Sequence, residues 1–385
     1  MQARKISKVS IKKCGEYEYG PLRETLEEAV GALGGLGSFI KSGDRVLVKP
    51  NLLAKKKPED ATTTHPVFVR AVIDMLTAHG AKVTIGDSPG GPFTATLLGG
   101  IYKSTGMSRV AIETGAALNR NFGSFTKDNP EALIMKKLLL TDMLNDADAV
   151  VNLAKLKTHA MMSYTGAVKN MFGMVPGVTK FEYHLNVPDY GAFADALIDI
   201  CIAAKPALSF IDGIVGMEGD GPAAGTPARA GAVLSSACPY SLDIAACRLI
   251  GLNEDNVPLI SRIAARGLAS ADGIDYVHET PESMGVPPFR PAATSGAMNL
   301  TNPKIPEFVR RFVAKRVQTR PVFDRKSCNG CGVCRDSCPA KVIAVRDRLA
   351  AANLTECIRC YCCHELCPRK AISIKRPVLS KLMRL

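Results

Sequence analysis

Nine of the 13 cysteines lie in the short segment 328–367, and their spacing is regular. Two runs share the pattern Cys-x2-Cys-x2-Cys-x3-Cys-Pro, the first beginning at Cys328 and the second at Cys357. Cysteine binds metals as the thiolate, so this repeated spacing predicts a metal-dependent site. Zinc favours two separated cysteine pairs that close one tetrahedron, and disulfides are rare in the cytoplasm, so neither accounts for two runs of four.

Each run closely resembles the cysteine motif of the bacterial two-cluster ferredoxins. The resemblance implies two [4Fe–4S] clusters, with three cysteines of one run and the fourth of the other run holding each cluster. Carried over to this sequence, the first cluster would be held by Cys328, Cys331, Cys334 and Cys367. The second would be held by Cys357, Cys360, Cys363 and Cys338. Cys362 falls outside this register and is predicted to be a buried thiol, not a ligand.

A second group of chemically active residue types lies in NLAKLKTHAMMSYTGAVKN, residues 152–170. Lys155, Lys157 and His159 follow the apolar run ADAVV with strand parity, which is expected to aim them to one side where the strand ends. Lys169 follows on a predicted helix over 166–177. Neighbouring lysines repel one another unless an anion offsets their charge, so we interpret the stretch as an anion-binding site. A solvated basic loop is the alternative.

Residues in other predicted loops complete this candidate site. Asn51 and Asn170 add amide groups that suit a carboxylate or a phosphate. For proton transfer or for a metal, the candidates are His65, His159, His184, Asp87, Asp212 and Asp220. The residues predicted to carry the chemistry are Lys157, His159, Lys169, His184 and Asp87.

The turn that holds Asp87 also matches the serine-hydrolase pattern G-x-S-x-G, at Gly86–Gly90. In that class of enzyme the residue after the serine donates its N–H to the oxyanion. Pro89 has no N–H, so the pattern does not indicate a hydrolase. The turn is still predicted to place Asp87 and Ser88 at a cleft.

The elements that must position these residues alternate between strand-like and helical runs. Predicted strands are 44–50, 81–87, 147–153, 207–213 and 230–237, and predicted helices are 66–79, 190–204 and 240–250. Such alternation predicts an α/β domain whose mainly parallel sheet has helices on both faces and binds ligands at the carboxyl ends of its strands. We predict this domain over 1–300 and a basic amphipathic linker helix over 301–320. A small α+β dicluster ferredoxin-like domain over 321–375 and a basic tail over 376–385 follow.

Six motifs occur in a fixed order in the larger domain: VKPNLL, THP, GDSPGG, NLAKLKTH, TGAVKNMFG and DGIVGMEGDGP. Their order resembles that of a microbial family known only as domain of unknown function 362, over roughly residues 40–255. Members of that family often carry a similar two-cluster tail. The resemblance implies that these loops form one site, and it supplies no reaction.

The net charge of +13 is concentrated at one end of the chain. Residues 301–385 hold 19 Lys and Arg against 6 Asp and Glu, whereas the other 300 residues are balanced. Two oxidised clusters of about −2 each would offset part of this excess, and the remainder suits an acidic electron donor or acceptor better than nucleic acid. No apolar run of about 18 residues and no signal peptide is present, so we expect a cytoplasmic protein without a membrane span.

These observations predict an iron–sulfur oxidoreductase that relays single electrons to an anionic small molecule in the α/β domain. The alternative is a non-enzymatic electron carrier or a cluster-dependent maturation factor, in which the basic stretch would form a flat docking face. A flavin or a further metal stays open.

Overall fold

A nine-stranded sheet forms the centre of the larger domain in the computed structural model, which describes residues 6–294 and 319–375. The predicted tail 376–385 and all but the last two residues of the predicted linker helix 301–320 lie outside the described residues. The division of the chain at these boundaries therefore stays a prediction.

The strands of the chain are numbered in sequence order. They are β1 Ser7–Lys13, β2 Arg45–Pro50, β3 Lys82–Ile85, β4 Ala117–Leu118, β5 Ser124–Asp128, β6 Lys137–Thr141, β7 Ala149–His159, β8 Ser163–Thr165, β9 Leu208–Glu218, β10 Thr226–Ser236, β11 Ile274–His278, β12 Arg320–Phe323, β13 Ile343–Arg346, β14 Leu349–Ala352 and β15 Ile372–Lys375.

The central sheet has the order β11-β1-β10-β9-β7-β2-β3-β4, and β8 pairs with β7. Five pairs are parallel: β1 with β11, β2 with β3, β2 with β7, β3 with β4 and β7 with β9. Only β10 and β8 run against their neighbours. The prediction of a mainly parallel sheet is confirmed, and β5 and β6 form a separate hairpin.

The helices are α1 Tyr19–Ala32, α2 Pro66–Ala78, α3 Ala95–Ser104, α4 Met107–Thr114, α5 Asp142–Asn145, α6 Ala167–Asn170, α7 Thr179–Asn186, α8 Tyr190–Ala204, α9 Pro239–Leu249, α10 Pro258–Ala265, α11 Val333–Asp336 and α12 Cys362–Glu365. Short 3-10 turns lie at Leu36–Ser38, Pro58–Asp60, Met171–Met174, Glu254–Asn256 and Ala271–Gly273.

Two hydrophobic cores lie on the two faces of the sheet because successive side chains of a strand point to opposite faces. On β2, Val46 and Val48 pack with α1 to α4, whereas Leu47 belongs to the core that holds α8, α9 and α10. Helices therefore cover both faces, as predicted. Because helices cover both faces of the sheet, ligands can reach it mainly at the ends of its strands. A ligand site is therefore expected at their carboxyl ends.

Local sequence explains how the helices next to this edge begin. His65 precedes Pro66 of α2, and its Nδ1 accepts a hydrogen bond from the Val67 N–H. Asp189 caps α8 by accepting from the Ala192 N–H at 2.9 Å. Proline or a capping side chain after each loop fixes where the chain turns back over the sheet.

The C-terminal domain, residues 319–375, is built from two related halves. β12 pairs with β15 and β13 with β14, both antiparallel, and α11 and α12 each lie within one run of cysteines, between its second and fourth members. Its small core contains Cys334, Cys338, Cys363 and Ile372. Cysteines make up three of the six buried side chains of this core.

The C-terminal domain packs against the larger domain. Tyr361 and Ile374 are buried in the core that contains α8 and α9, and the Tyr190 hydroxyl donates to the Arg359 carbonyl at 3.4 Å. A Cβ on Gly90 would lie 3.3 Å from Leu366, so the GDSPGG turn also touches this domain. The two domains therefore share a boundary at the carboxyl edge of the sheet.

Candidate functional site

The basic residues predicted to follow a strand lie within it. β7 continues to His159, and Lys155, Lys157 and His159 are 2%, 1% and 3% exposed. The prediction that this strand ends near Leu153 was wrong. An irregularity between β7 and β9 separates Lys155, opposite Asp212, from Lys157, opposite Met217, so the two lysines enter different surroundings.

Lys155 belongs to a buried network that includes two other predicted residues, His65 and Asp212. Its Nζ donates to the Asp212 carboxylate and to the Tyr17 hydroxyl, both at 2.8 Å. Tyr17 also donates to Asp212 at 2.7 Å and stacks on the His65 ring at 3.6 Å. Because Asp212 neutralises the ammonium, the structure groups Lys155, His65 and Asp212 as a satisfied structural network rather than as part of a cleft.

A cavity of about 640 Å³, partly open to solvent, lies between the carboxyl edge of the sheet and the C-terminal domain. We call it the interdomain cavity. The larger domain contributes three lysines and several neutral or acidic polar side chains to its lining. They are Lys49, Lys169, Lys180, Asn51, Asp87, Ser88, Thr165, Asn170 and His184. The C-terminal domain contributes Cys362, Glu365 and Leu366. Of the five residues predicted to carry the chemistry, Asp87, Lys169 and His184 line this cavity directly.

Lys49 and Asp87 form a buried ion pair at the base of the interdomain cavity. Lys49 Nζ lies 3.0 Å from Asp87 Oδ1 and donates to Asn170 Oδ1 at 2.7 Å. Asp87 Oδ2 accepts from the Leu52 N–H at 2.9 Å. Gly173 allows this approach, since a Cβ there would collide with Asp87 and Lys49.

Lys169 is the least compensated cation of the cavity. Asp243 accepts from the Ala167 and Val168 N–H groups at 2.6 and 2.9 Å, which fixes the start of α6 and hence the position of Lys169. Within the described part of the chain, Lys169 has no hydrogen bond and no carboxylate at ion-pair distance. Burial lowers the pKa of Lys169, and the charge of Glu365 opposes that effect.

Lys180 is held by backbone carbonyl groups. Its Nζ donates to the Ser88 carbonyl at 2.6 Å and to that of Val175. Burial lowers the pKa of Lys180 to about 7, while the charge of Asp87 acts in the opposite direction. Lys180 therefore changes its charge near neutral pH.

Lys157 and His159 lie behind the cavity lining and not on it. Lys157 donates to Asn51 Oδ1 at 2.6 Å and to the Thr62 carbonyl at 2.7 Å, and Asn51 in turn donates to Asn170 Oδ1 at 3.1 Å. Burial, with the charge of Lys169, lowers the pKa of Lys157 and His159 well below their ordinary values. Of the basic residues interpreted as one anion-binding site, Lys155, Lys157 and His159 therefore do not line the interdomain cavity.

The protonation of His159 follows from its hydrogen bonds. Its Nδ1 accepts from the Met161 N–H at 3.0 Å and from the Met162 N–H at 3.3 Å, so the ring proton resides on Nε2. His159 Nε2 is buried and has no partner among the residues described. The imidazole is thus a neutral donor with an unused N–H.

Three further buried polar atoms near the cavity have no hydrogen-bond partner within residues 6–294 and 319–375. They are Ser88 Oγ, His184 Nδ1 and His364 Nδ1. The His184 ring stacks on Phe193 at 4.5 Å, and burial lowers the pKa of His184 to about 3. Unsatisfied buried polar groups are rare in proteins, and a cluster of them around one cavity indicates a place where a ligand completes the hydrogen bonds.

Asp220, the remaining predicted residue, lies at the loop after β9. Its carboxylate accepts from the Ala293 N–H at 2.8 Å, and its charge raises the pKa of His364, although burial lowers that pKa more strongly. Asp220 does not line the interdomain cavity.

The charges of the cavity favour an anionic ligand. Three lysines line it against the two carboxylates Asp87 and Glu365. Phe172 and Phe181 supply an apolar side. Asn51, Ser88 and the imidazoles give neutral hydrogen-bonding groups, so the cavity suits a small molecule with a carboxylate or phosphate group.

The eight predicted cluster ligands gather in two separate cavities of the C-terminal domain. A cavity of about 340 Å³ is lined by the first cysteine set, Cys328, Cys331, Cys334 and Cys367. A cavity of about 370 Å³ is lined by the second cysteine set, Cys338, Cys357, Cys360 and Cys363. Within the described residues no three His, Cys, Asp or Glu side chains are placed to share one metal ion. Each set instead surrounds a space that fits a multi-iron cluster.

Cys362 lies between the second cysteine set and the interdomain cavity. It is buried and lines the interdomain cavity. The next residue, Cys363, lines the cavity of the second cysteine set, so this cavity and the interdomain cavity are adjacent here.

Sequence reasoning missed Lys49 and Glu365, whereas Ser88 was predicted to lie at a cleft and lines the interdomain cavity. Lys49 falls inside the apolar strand VLVKP, where the motif VKPN was the available signal. Nothing in the sequence CHEL indicates that Glu365 meets a cavity of another domain.

Comparisons with known proteins identify the class and then the family. A family described as 4Fe-4S dicluster domain matches residues 320–368, so the C-terminal domain is an iron–sulfur domain of the kind that serves electron transfer. The family described as Domain of unknown function (DUF362) matches residues 46–248. A thylakoid-associated protein of Synechocystis sp. is 34% identical over 266 residues, which are 68% of this chain and 80% of that relative. The chain belongs to the DUF362 family, and the resemblance is confirmed.

Two solved structures are similar over part of the chain. The lactate racemase apoprotein from Thermoanaerobacterium thermosaccharolyticum is 12% identical, with a TM-score of 0.37, and the match covers 65% of this chain and 57% of that one. A Thermotoga maritima protein is 13% identical, with a TM-score of 0.32, covering 54% of this chain and 52% of that one. No functional conclusion follows from a likeness of this extent.

Among residues 6–294 and 319–375, no helix has both the length and the apolar character that crossing a membrane requires.

Proposed function

We propose that the protein is an iron–sulfur oxidoreductase that delivers single electrons to an anionic small molecule held in the interdomain cavity. The observation that carries the proposal is that the interdomain cavity and the second cysteine set are adjacent. Cys362 and Glu365, which flank Cys363 of the second cysteine set, line the same cavity as Lys169 and Lys180.

The first and second cysteine sets would each hold one [4Fe–4S] cluster. When bound, the two clusters supply one-electron reduction and oxidation. The cavities around the two sets support this count of two.

The lysines and amides are proposed to bind and orient the ligand. Lys169 has no hydrogen-bond or ion-pair partner among the described residues, and Asn51 links the cavity to Lys157 through hydrogen bonds. His159 and His184 are neutral at pH 7, so they act as hydrogen-bond partners rather than as charged acids. Lys180, with a pKa of about 7, is better placed to give or take a proton.

The burial of the basic stretch supports this proposal over the carrier or maturation-factor alternative. A docking face would expose Lys155, Lys157 and His159 on a flat surface, whereas all three are at most 3% exposed. An acidic soluble protein as electron donor or acceptor, and a cytoplasmic location, remain parts of the proposal.

A turnover test with the full-length protein checks the proposal. Anaerobically purified protein is reduced chemically and mixed with a panel of small carboxylates and phosphate esters that also carry a reducible carbonyl group or conjugated double bond, which takes up two electrons and two protons over two single-electron steps. Cluster reoxidation is followed near 400 nm. We expect a subset to reoxidise the protein and Lys169→Met to abolish that reaction with iron content unchanged. Lys82→Met, at the exposed start of β3, serves as the control.

Failure of every compound to reoxidise the wild type, or an unchanged reaction in Lys169→Met, would overturn the proposal. Parallel loss of activity in Lys82→Met would show a general effect of substitution instead of a site.

A further inference from the structure

An open groove lies where the loop after β2 meets the last loop of the C-terminal domain. It encloses about 1010 Å³, including open solvent. Its lining residues are Lys55, Lys56, Lys57, Asp60, Ser104, Pro368, Arg369 and Lys370. We call it the basic groove, because five of these eight residues are cationic and one is acidic.

The charge of the basic groove is largely uncompensated. Asp60, the acidic residue of the lining, lies 3.9 Å from Lys370 and so offsets the charge of that lysine. Lys55, Lys57 and Arg369 are exposed and have no carboxylate at ion-pair distance in the described ranges. Exposed like charges held together by two domains create a field that attracts an acidic surface.

The basic groove adjoins the first cysteine set. Pro368 and Arg369 line both the groove and the cavity that contains Cys328, Cys331, Cys334 and Cys367. Lys56 is close enough to Cys367 for the charge of that thiolate to raise the lysine pKa, although burial lowers it more. The groove is thus a solvent-facing surface that shares its lining with this set.

We propose that the basic groove is the docking surface for a small acidic one-electron carrier protein. Docking there brings the carrier next to the first cysteine set. In the exchange the carrier is oxidised by one electron and the cluster held by that set is reduced by one, with no bond formed or broken. This inference rests on the proposed function and assigns it an entry surface distinct from the interdomain cavity.

Two observations favour a redox protein over nucleic acid as the occupant. The groove is assembled from both domains at the cysteine set, whereas nucleic acid binding has no need of that neighbour. A compact groove also fits the small, weak and salt-sensitive interfaces of electron-transfer complexes better than a long backbone track.

The test compares two variants of the full-length protein with matched charge changes. The groove variant carries Lys55→Glu, Lys57→Glu and Arg369→Glu. The control variant carries Lys8→Glu, Lys41→Glu and Lys82→Glu, three exposed lysines near the amino ends of β1, β2 and β3. Because the groove follows the carboxyl end of β2, the control residues belong to the other edge of the sheet.

The probe is a purified acidic flavodoxin in its fully reduced state. We expect the groove variant to lose about tenfold or more in the second-order rate of cluster reduction and to bind oxidised flavodoxin correspondingly less tightly, as charge-steered encounters do. Its rate should also lose most of the salt dependence of the wild type. Reduction by dithionite and the iron content should be unchanged, and the control variant should behave as wild type.

Equal flavodoxin rates and affinities in the groove variant and the wild type would overturn the proposal. So would a groove variant that loses binding to a DNA duplex or to anionic lipid vesicles while keeping its flavodoxin rate. If flavodoxin reduces the wild type but no anion reoxidises it, the proposed function fails and the docking surface stands.

Discussion

The lysines around the interdomain cavity differ in how their charge is compensated. Lys49 has Asp87, and Lys157 has two neutral oxygen acceptors. In the part of the chain that the structure describes, Lys169 has no carboxylate at ion-pair distance and no hydrogen-bond acceptor, and burial lowers its pKa. A half-buried ammonium without a partner among the described residues opposes folding, so its presence is explained most simply by an anion that binds there.

Replacing Lys169 should therefore separate binding from stability. Lys169→Met removes a desolvated charge, so the free energy of unfolding should stay equal or rise by about 1 kcal/mol. Sulfate, a dianion that does not titrate near neutral pH, should bind at least about tenfold more weakly because a charge-assisted contact is lost. Calorimetric titration and denaturant unfolding measure the two effects.

Lys49→Met is the matched comparison. It leaves Asp87 as a buried carboxylate without its cation, so unfolding should become easier by about 3–5 kcal/mol. If Lys169→Met is destabilised as strongly as Lys49→Met, or binds sulfate like the wild type, Lys169 has a structural role.

Lys180 predicts how anion binding depends on pH. Its pKa is about 7 in the free protein because burial penalises the ammonium, and a bound anion raises that pKa. Binding therefore takes up a proton, so sulfate affinity should be greatest below pH 7 and fall as pH rises above about 7. The decline cannot exceed tenfold per pH unit for one proton.

Isothermal titration between pH 5.5 and 8.5, in buffers of different ionisation enthalpy, measures both the affinity and the proton uptake. Lys180→Gln should flatten the profile around pH 7. An affinity that increases with pH would contradict this assignment.

At the scale of elements, the alternation of strands and helices was enough to predict the larger domain. β2, α2, α8 and α9 lie within one or two residues of their predicted bounds. β7 was predicted too short because Lys155, Lys157 and His159 are polar types that usually end a buried strand. Their partners Asp212, Tyr17 and Asn51 come from distant parts of the chain, and no local pattern reveals them.

The candidate site was predicted in part for the same reason. Asp87, Lys169 and His184 follow or flank predicted strands and helices, and the rule that ligands bind at carboxyl ends located them. Lys49 looks like a strand residue and Glu365 like a surface residue of another domain. Placing them required knowing how the two domains pack, which sequence spacing does not determine.

The two cysteine runs exchange their fourth members between the halves of the C-terminal domain. Cys338 follows α11 but lines the cavity with Cys357, Cys360 and Cys363. Cys338→Ala should therefore lower the iron content from about eight to about four per chain by damaging the cluster of the second set. Iron and sulfide analysis with low-temperature electron paramagnetic resonance measures the loss.

A double variant distinguishes exchange from local ligation. Adding Cys357→Ala to Cys338→Ala should remove little further iron, whereas adding Cys334→Ala should remove most of the remainder. The reverse pattern would assign Cys338 to its own run. Cys362→Ser should leave iron unchanged, since that thiol faces the interdomain cavity.

At the scale of the whole molecule, the C-terminal domain has two different neighbours. The second cysteine set adjoins the interdomain cavity through Cys362, and the first set adjoins the basic groove through Pro368 and Arg369. An arrangement with a buried cationic cavity at one set and an exposed cationic groove at the other suits a protein that receives electrons from a partner and uses them on a small anion.

Because Cys362 and Glu365, next to the second cysteine set, line the interdomain cavity, anion binding there and reduction of the cluster held by that set should be thermodynamically linked. An added electron at the second cysteine set lies near any anion in the interdomain cavity, and like charges repel in a poorly solvated space. Sulfate should therefore lower the midpoint potential of the cluster held by that set, and reduction should weaken sulfate binding by the same factor. A tenfold weakening corresponds to about 59 mV for a one-electron couple.

Redox titration monitored by electron paramagnetic resonance, with and without saturating sulfate, measures this shift. At pH 6, below the Lys180 pKa of about 7, that lysine is mostly charged before sulfate binds, so proton uptake does not mask the effect. The cluster of the first set should shift less, because no residue of that set lines the interdomain cavity. Chloride at equal ionic strength controls for screening, and Lys169→Met should lose the shift together with sulfate binding. A potential that stays constant while sulfate saturates the protein would mean that the anion lies too far from the second set for the two domains to act on one ligand.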